Sequence, residues 1–410
     1  MKPFPRSITA HVLAVVALVS VVSCAPAITR NPVPDDMVEV AEPFGREGFR
    51  TWGDTVSEQD IEYIEATFTP MLRKEFGAEL AAGQTPLLHF LALSGGGQWG
   101  AFGAGVLKGW TESGTRPEFR GVSGVSTGAI IAPFAFLGSD YDDTLREIYT
   151  TYSTDDLVEE TVVSGILSGT ALAATDKLGG MIARYMTPEL LEKIAVEYRK
   201  GRRLLIGTTN LDAGRPVIWD IGAIADSGEE GALDLVRSLI RASASIPVAF
   251  PPIFINVKTP DGKTYDEMHV DGGASSQVTF ISPEIPIAEL TRRALGRNLD
   301  RKLWVIVNND LEPPYKSIDP RITDIGSAAV SSLIRSSGAG DTYRLFAIAE
   351  RDELQFHVGW IPSDVPCPKP TEDFDKIFMQ CLFEVGSKAL LDDALWRNKP
   401  PFFRVPEQFR

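Results

Sequence analysis

An α/β fold built on a mostly parallel sheet is what this sequence predicts, on three observations. Short apolar runs of strand length, Leu87–Leu93 and Lys302–Asn308, stand among longer helix-patterned stretches. The first run passes directly into Gly95-Gly96-Gly97 and then into a helix with a small-residue start, Ala101 to Trp110. A second strand, Phe119 to Ser126, turns sharply at Gly124-Val125-Ser126-Thr127-Gly128 into a helix holding Ala129 to Leu137. Strand, glycine loop and helix in that order, twice, is the rhythm of a sheet whose sites lie at the strand ends.

The chain justifies each element in turn. Lys2 and Arg6 precede an apolar run from Ile8 to Val22, broken only by Thr9, His11 and Ser20. The run is too short for a confident membrane span and has the shape of a signal peptide over 1–23. It ends in Val21-Val22-Ser23-Cys24-Ala25, which resembles a bacterial lipoprotein signal with Cys24 as the lipidated residue. That implies a lipid anchor at a bacterial cell envelope, on the periplasmic side or the outer membrane. The alternative is an ordinary secretory signal cut near Ala25 or Ala27. Residues 24–50 carry Pro26, Pro32, Pro34 and Pro43 with Asp35 and Asp36, and read as a Pro-rich tether. A polar helix follows over 57–79, with Ser57 as its N-cap.

Beyond the elbow, Pro133 falls inside the helix and is expected to kink it or to sit in its first turns. Residues 140–200 read as mostly helical, with Gly165, Gly169, Gly179 and Gly180 as turns or as hinges of a cap. Leu204–Asn210 and Pro216–Trp219 read as strands around the turn Asp212-Ala213-Gly214. Leu233 to Ala244 forms an amphipathic helix that stops at Ile246-Pro247, ahead of Phe250-Pro251-Pro252. Ser327 to Ala349 is helical, 362–373 is an irregular Pro-rich loop, and Pro400–Phe403 is extended. No internal repeat appears, so 51–410 reads as one domain with its motif-bearing core over about 86–310.

Composition narrows the function classes. The 410 residues are 44% hydrophobic and 23% charged, with a net charge of −15. Such acidity argues against a nucleic-acid partner and against polybasic attachment to a membrane. Of three cysteines, Cys24 is assigned to lipid, leaving Cys367 and Cys381 to pair in an oxidising compartment or to stay as buried thiols. No C-x-x-C or H-E-x-x-H spacing supports a metal, and no cofactor is expected.

Gly124, Ser126 and Gly128 give G-x-S-x-G, in which a serine on a strained strand-to-helix turn presents its hydroxyl as a nucleophile. Gly95-Gly96-Gly97 is a side-chain-free loop whose amides can approach an acyl oxygen closely. The same stretch spells G-x-G-x-x-G through Gly100, but no acidic residue ends a clear second strand about 20 residues on, as a dinucleotide loop requires. A serine needs a base. Of four histidines, His11 lies in the signal, His89 inside a strand, and His269 beside Asp271. His357 alone lies far enough downstream for a Ser-Asp-His order. The competitor is Asp271, at the tip of a short strand where Gly272-Gly273 turns the chain away.

Together these motifs resemble the patatin-like phospholipase family over about Leu88 to Gly273. Gly95-Gly96-Gly97 matches its oxyanion motif and Gly124–Gly128 its nucleophile elbow. Ala242-Ser243-Ala244-Ser245-Ile246-Pro247 with Phe250-Pro251-Pro252 matches its central motif, and Asp271-Gly272-Gly273 its catalytic Asp-Gly motif. Trp99 stands where the family often has Arg or Lys. The resemblance implies a three-layer α/β/α arrangement and a Ser126–Asp271 dyad, with Gly95, Gly96 and Gly97 as the oxyanion hole. It implies an acyl-enzyme and a lipid acyl ester as substrate, of the phospholipid or lysophospholipid kind. The other functional readings are a non-catalytic envelope protein that binds lipid or a partner, and a Ser-Asp-His triad esterase.

Overall fold

A computed structural model describes residues 30–158, 177–247, 250–312, 315, 317–390 and 395–403. The signal segment, Cys24, Gly165 and Gly169 lie outside them.

The elements run β1 (Arg50–Trp52), α1 (Glu58–Ala81), β2 (Leu87–Leu93), α2 (Gly100–Glu112), β3 (Gly121–Val125) and α3 (Thr127–Leu137). Then come α4 (Asp142–Thr151), α5 (Thr154–Leu157), α6 (Lys177–Tyr185), α7 (Pro188–Arg199), β4 (Arg203–Asn210) and β5 (Arg215–Asp220). The chain continues through α8 (Ile221–Ala225), α9 (Ala232–Ser243), β6 (Ile253–Lys258), β7 (Thr264–Asp271) and α10 (Ile287–Leu295). It ends with β8 (Asp300–Val307), α11 (Ile322–Arg351), β9 (Leu354–Trp360) and α12 (Lys376–Lys388).

All nine strands form one sheet: seven follow the order β1-β5-β4-β3-β2-β8-β9, and the hairpin β6–β7 joins through β7, which pairs with β4. The five from β4 to β9 are parallel, while β5 and β1 add an antiparallel edge. One arrangement decides where chemistry can happen. β3 pairs with the first half of β4 and ends with Val125 opposite Gly207. β7 pairs with the second half from the opposite direction and ends with Asp271 opposite Thr208. Two strands of opposite sense thus abut in one lane beside β4, and their ends meet.

Helices cover both faces, giving three layers. On one face α2 and α12 press backbone to backbone: a side chain at Gly105 or Gly109 would collide with the carbonyls of Phe383 and Ser387. Here α9 buries Val236, Leu239, Ile240 and Ser243, the i, i+3, i+4, i+7 stripe of an amphipathic helix. On the other face α11 packs Leu345, Ile348 and Ala349 on Val305, Phe356 and Val358. Leu72 and Phe76 of α1 join Ala294 of α10 and Leu299.

Most expected elements occur close to their expected bounds, and Pro133 lies within α3. Ser57 caps α1 with a full capping box. Gly179 and Gly180 lie inside α6 rather than in turns. Residues 400–403 close a turn rather than extending. The tether reading of 24–50 fails for its described part. Pro32 bridges Asp266, Glu42 and Lys258 exchange backbone hydrogen bonds, and Ala41 and Phe49 are buried in the core. Those apolar residues outweigh the prolines, and Arg30 is fixed by Asp212 and Asp266. Helix α12 was not foreseen; Asp375 caps it and Cys381 within it is disulfide-bonded to Cys367.

Candidate active site

Ser126 follows β3 as the N-cap of α3 with φ 55° and ψ −122°, a positive-φ conformation that is costly for a residue with a side chain. The elbow is forced by close approach. A Cβ on Gly128 would lie 2.4 Å from the Leu93 carbonyl oxygen, and one on Gly124 would lie 2.2 Å from that of Gly128. The turn is braced from below. The Ser126 N–H donates to Ser243 Oγ at 2.9 Å, and that hydroxyl donates to the Gly207 carbonyl at 2.6 Å.

Asp271 arrives from the other end of the lane. Its N–H donates to the Ser245 carbonyl, and its Oδ1 accepts from the Gly273 N–H at 2.7 Å. Gly272 lies against the Gly207 carbonyl and Val125, where a side chain would not fit. Asp271 Oδ2 is buried with no hydrogen-bond partner among the described residues. Burial pushes the carboxyl up to about 7, against the pull of Ser126 and the Gly273 N–H.

The glycine loop lies beside the serine: a Cβ on Gly95 would sit 3.2 Å from that of Ser126. Gly95 cannot serve as a donor, because its N–H is spent on the Gln277 carbonyl at 2.9 Å. Gly96 has φ 153°, and a Cβ there would lie 2.0 Å from the Asn308 carbonyl oxygen. Among the described residues, no backbone carbonyl takes the N–H of Gly96 or Gly97. Gly97 lines the same cleft as Ser126. Trp99 packs edge-on against Phe378 of α12, with ring centroids 5.0 Å apart.

A narrow cleft opens over Ser126, with about 40 Å³ of space within it. Ile130, Ile148, Leu178, Met181, Phe250 and Met379 are among its walls, and no lysine or arginine lines it among the described residues. Such a lining suits an apolar group rather than a charged one. Phe374, also at the cleft, belongs to the loop that the Cys367–Cys381 disulfide fastens to α12.

The histidines are engaged elsewhere. His357 stacks on Trp304 with centroids 4.1 Å apart, on a strand three places from β3, about 14 Å away at roughly 4.8 Å per strand. His269 is buried between Glu267 and Thr208. His89 Nδ1 accepts from Trp304 Nε1. Burial depresses all three. Among the described residues, no three His, Cys, Asp or Glu side chains gather as metal ligands.

Residues 91–283 match the family model described as patatin-like phospholipase. The chain carries a patatin-like phospholipase domain. The family is one of lipid acyl hydrolases, which agrees with an apolar cleft over a serine elbow. Similar solved structures include VipD from Legionella pneumophila, at 12% identity over 75% of this chain and 67% of that chain, with a TM-score of 0.37. ExoU of Pseudomonas aeruginosa in complex with SpcU is 14% identical over 76% of this chain and 53% of its own, at 0.29. Human GIVD cytosolic phospholipase A2 is 10% identical over 71% of this chain and 52% of its own, at 0.28. The chain thus spans about half the length of the latter two. No curated protein matches it.

Two supports of this patatin-like site escaped the sequence reading. Gln277 ties the glycine loop to the Asp-Gly turn: its carbonyl holds Gly95, and its Nε2 donates to the Gly273 carbonyl at 2.7 Å. Asp341 of α11 holds that segment in turn, its Oδ2 accepting from the N–H groups of Gln277 and Val278. Gln277 follows Gly273 by four residues and could have been suspected. Asp341 is 64 residues further on, and its one sequence signal is an acid in an otherwise uncharged run.

Proposed function

We propose that this chain is a serine lipid acyl hydrolase that cleaves acyl esters of phospholipids or lysophospholipids through Ser126 and Asp271. The observation that carries the reading is the meeting of the two strand ends, which brings Ser126 and Asp271 to neighbouring positions beside β4, with Ser126 at an apolar cleft. Asp271 takes the Ser126 proton as Oγ attacks the ester carbonyl carbon. The oxyanion is received by the N–H groups of Gly96 and Gly97, each such donor being worth roughly 3 kcal/mol. The C–O bond to the alcohol then breaks, and Asp271 returns its proton to the leaving oxygen. Water attacks the acyl-serine with Asp271 again as base, and the released Ser126 oxygen recovers the proton.

A carboxylate is a weak base for an alcohol, and two features support its use here. Burial makes Asp271 a stronger base than an ordinary aspartate. The serine also stands at the N-terminus of α3, whose free amides favour negative charge. A fluorophosphonate probe should label the wild type and not Ser126→Ala, and only the wild type should release fatty acid from phosphatidylcholine or lysophosphatidylcholine. Equal hydrolysis by the two proteins ends the proposal. Loss of activity in His357→Ala with Asp271→Asn still active would turn it into a triad. We further propose lipidation at Cys24, which predicts palmitate incorporation that Cys24→Ala abolishes.

A further inference from the structure

Helix α11 is 30 residues long, and its two halves differ. The C-terminal half is buried on β8 and β9, and Gly338 passes beside Leu311 and Gln277. The N-terminal half is bare. Ile322 is 91% exposed, Ile325 53%, Val330 56% and Leu333 69%, values ordinary for lysine and not for branched aliphatics. Between Ile325 and Gly340 the sequence reads IGSAAVSSLIRSSGAG, in which Arg335 is the one charge. Gly326 and the serines are poor helix formers, and a short helix with no packing partner is marginal in water. Nothing among the described residues covers this face.

Its position says what does. α11 leads into β9, which runs parallel to β2 and β3, so the helix descends from the edge where those strands end. That edge carries Ser126 and the glycine loop. From Ile322 to Arg335 the helix extends about 20 Å at 1.5 Å per residue, beyond the point where Gln277 and Asp341 tie it to the site. This largely apolar projection, whose charges are Asp324 and Arg335, rises from the same sheet edge as Ser126 and faces the medium from which a lipid substrate would come. With a net charge of −15 and no lysine in the stretch, attraction to anionic headgroups cannot drive the contact.

We propose that residues 322–334 are an interfacial anchor that inserts into a zwitterionic phospholipid surface and seats the cleft mouth on it. The inference rests on the hydrolase reading for the identity of the surface, while its test does not need turnover. In full-length protein carrying Ser126→Ala and Cys24→Ala, an environment-sensitive fluorophore is attached at Leu333→Cys or, as control, at Gln84→Cys near the opposite strand edge. Phosphatidylcholine vesicles with brominated acyl chains should shift and quench the label at 333, leave that at 84 in water, and act equally at high salt. In otherwise wild-type protein, Ile325→Asp with Leu333→Asp should retain cleavage of a soluble short-chain ester. The pair should lower hydrolysis of dilute phosphatidylcholine vesicles about a hundredfold, roughly tenfold per side chain lost from the interface. A label at 333 that stays in water, equal quenching at both positions, or salt-sensitive quenching overturns the proposal. So does a blue shift that grows with protein concentration without vesicles, which assigns the face to a second copy. Absence of all esterase activity, with the label at 333 still quenched, sinks the hydrolase reading and leaves the anchor standing.

Discussion

Asp271→Asn should abolish hydrolysis and at the same time stabilise the protein, and the second effect can be worked from the structure. The folded carboxyl is held at about 7 by burial, against an ordinary 3.8 in the unfolded chain. The folded state therefore keeps a proton that the unfolded state gives up. Wild-type stability from this group is fully present below the unfolded value, falls as pH rises between the two values, and is flat above about 7. A gap of about three pH units at ~1.4 kcal/mol each amounts to roughly 4 kcal/mol. Asparagine carries no proton to lose and still offers an oxygen to the Gly273 N–H. Urea unfolding of both proteins at about pH 4 and about pH 8 isolates the term, since the other titrating groups are shared. The advantage of the variant should widen by roughly 4 kcal/mol between the two conditions, at unchanged m-value, while turnover falls roughly a thousandfold. A gap that is constant with pH, or that favours the wild type at the higher pH, refutes a buried, proton-holding carboxyl at 271.

The same titration sets the rate profile: kcat/KM for a soluble ester should rise with pH along a limb centred near 7, and a limb in the usual carboxylate range would assign the base elsewhere. Ser243→Ala leaves the Ser126 N–H and the Gly207 carbonyl unpaired, so urea unfolding should register a loss of about 1–3 kcal/mol, with kcat falling more than KM rises. Cys367→Ser should cost about 3 kcal/mol in the loop-entropy model, and reductant should shift the wild type to the same midpoint; no change on reduction would contradict a formed bond.

What the sequence discloses is local. The strand at 87–93, the elbow at 124–128 and the helix at 233–244 could be read because each carries its own punctuation in adjacent residues. Asp271 could be singled out because two glycines follow it. What could not be read is pairing at a distance. Nothing near Gly95 announces that Gln277 will consume its N–H, so three glycines looked equivalent where one is already engaged. The prolines of 24–50 suggested a tether, but Ala41 and Phe49 find partners only once β5 and β6 exist. Helix α12 was overlooked because its counterpart is the glycine-lined face of α2, a match that neither segment reveals alone.

The abutting ends of β3 and β7 make the reactive geometry digital. Slipping β7 by one position along β4 would turn residue 271 to the opposite side of the sheet. Slipping it by two would carry the carboxyl off by about 6.8 Å, and no intermediate setting exists. Gradual backbone drift cannot retune such a spacing, so natural variation or engineering must keep it or exchange the side chain outright.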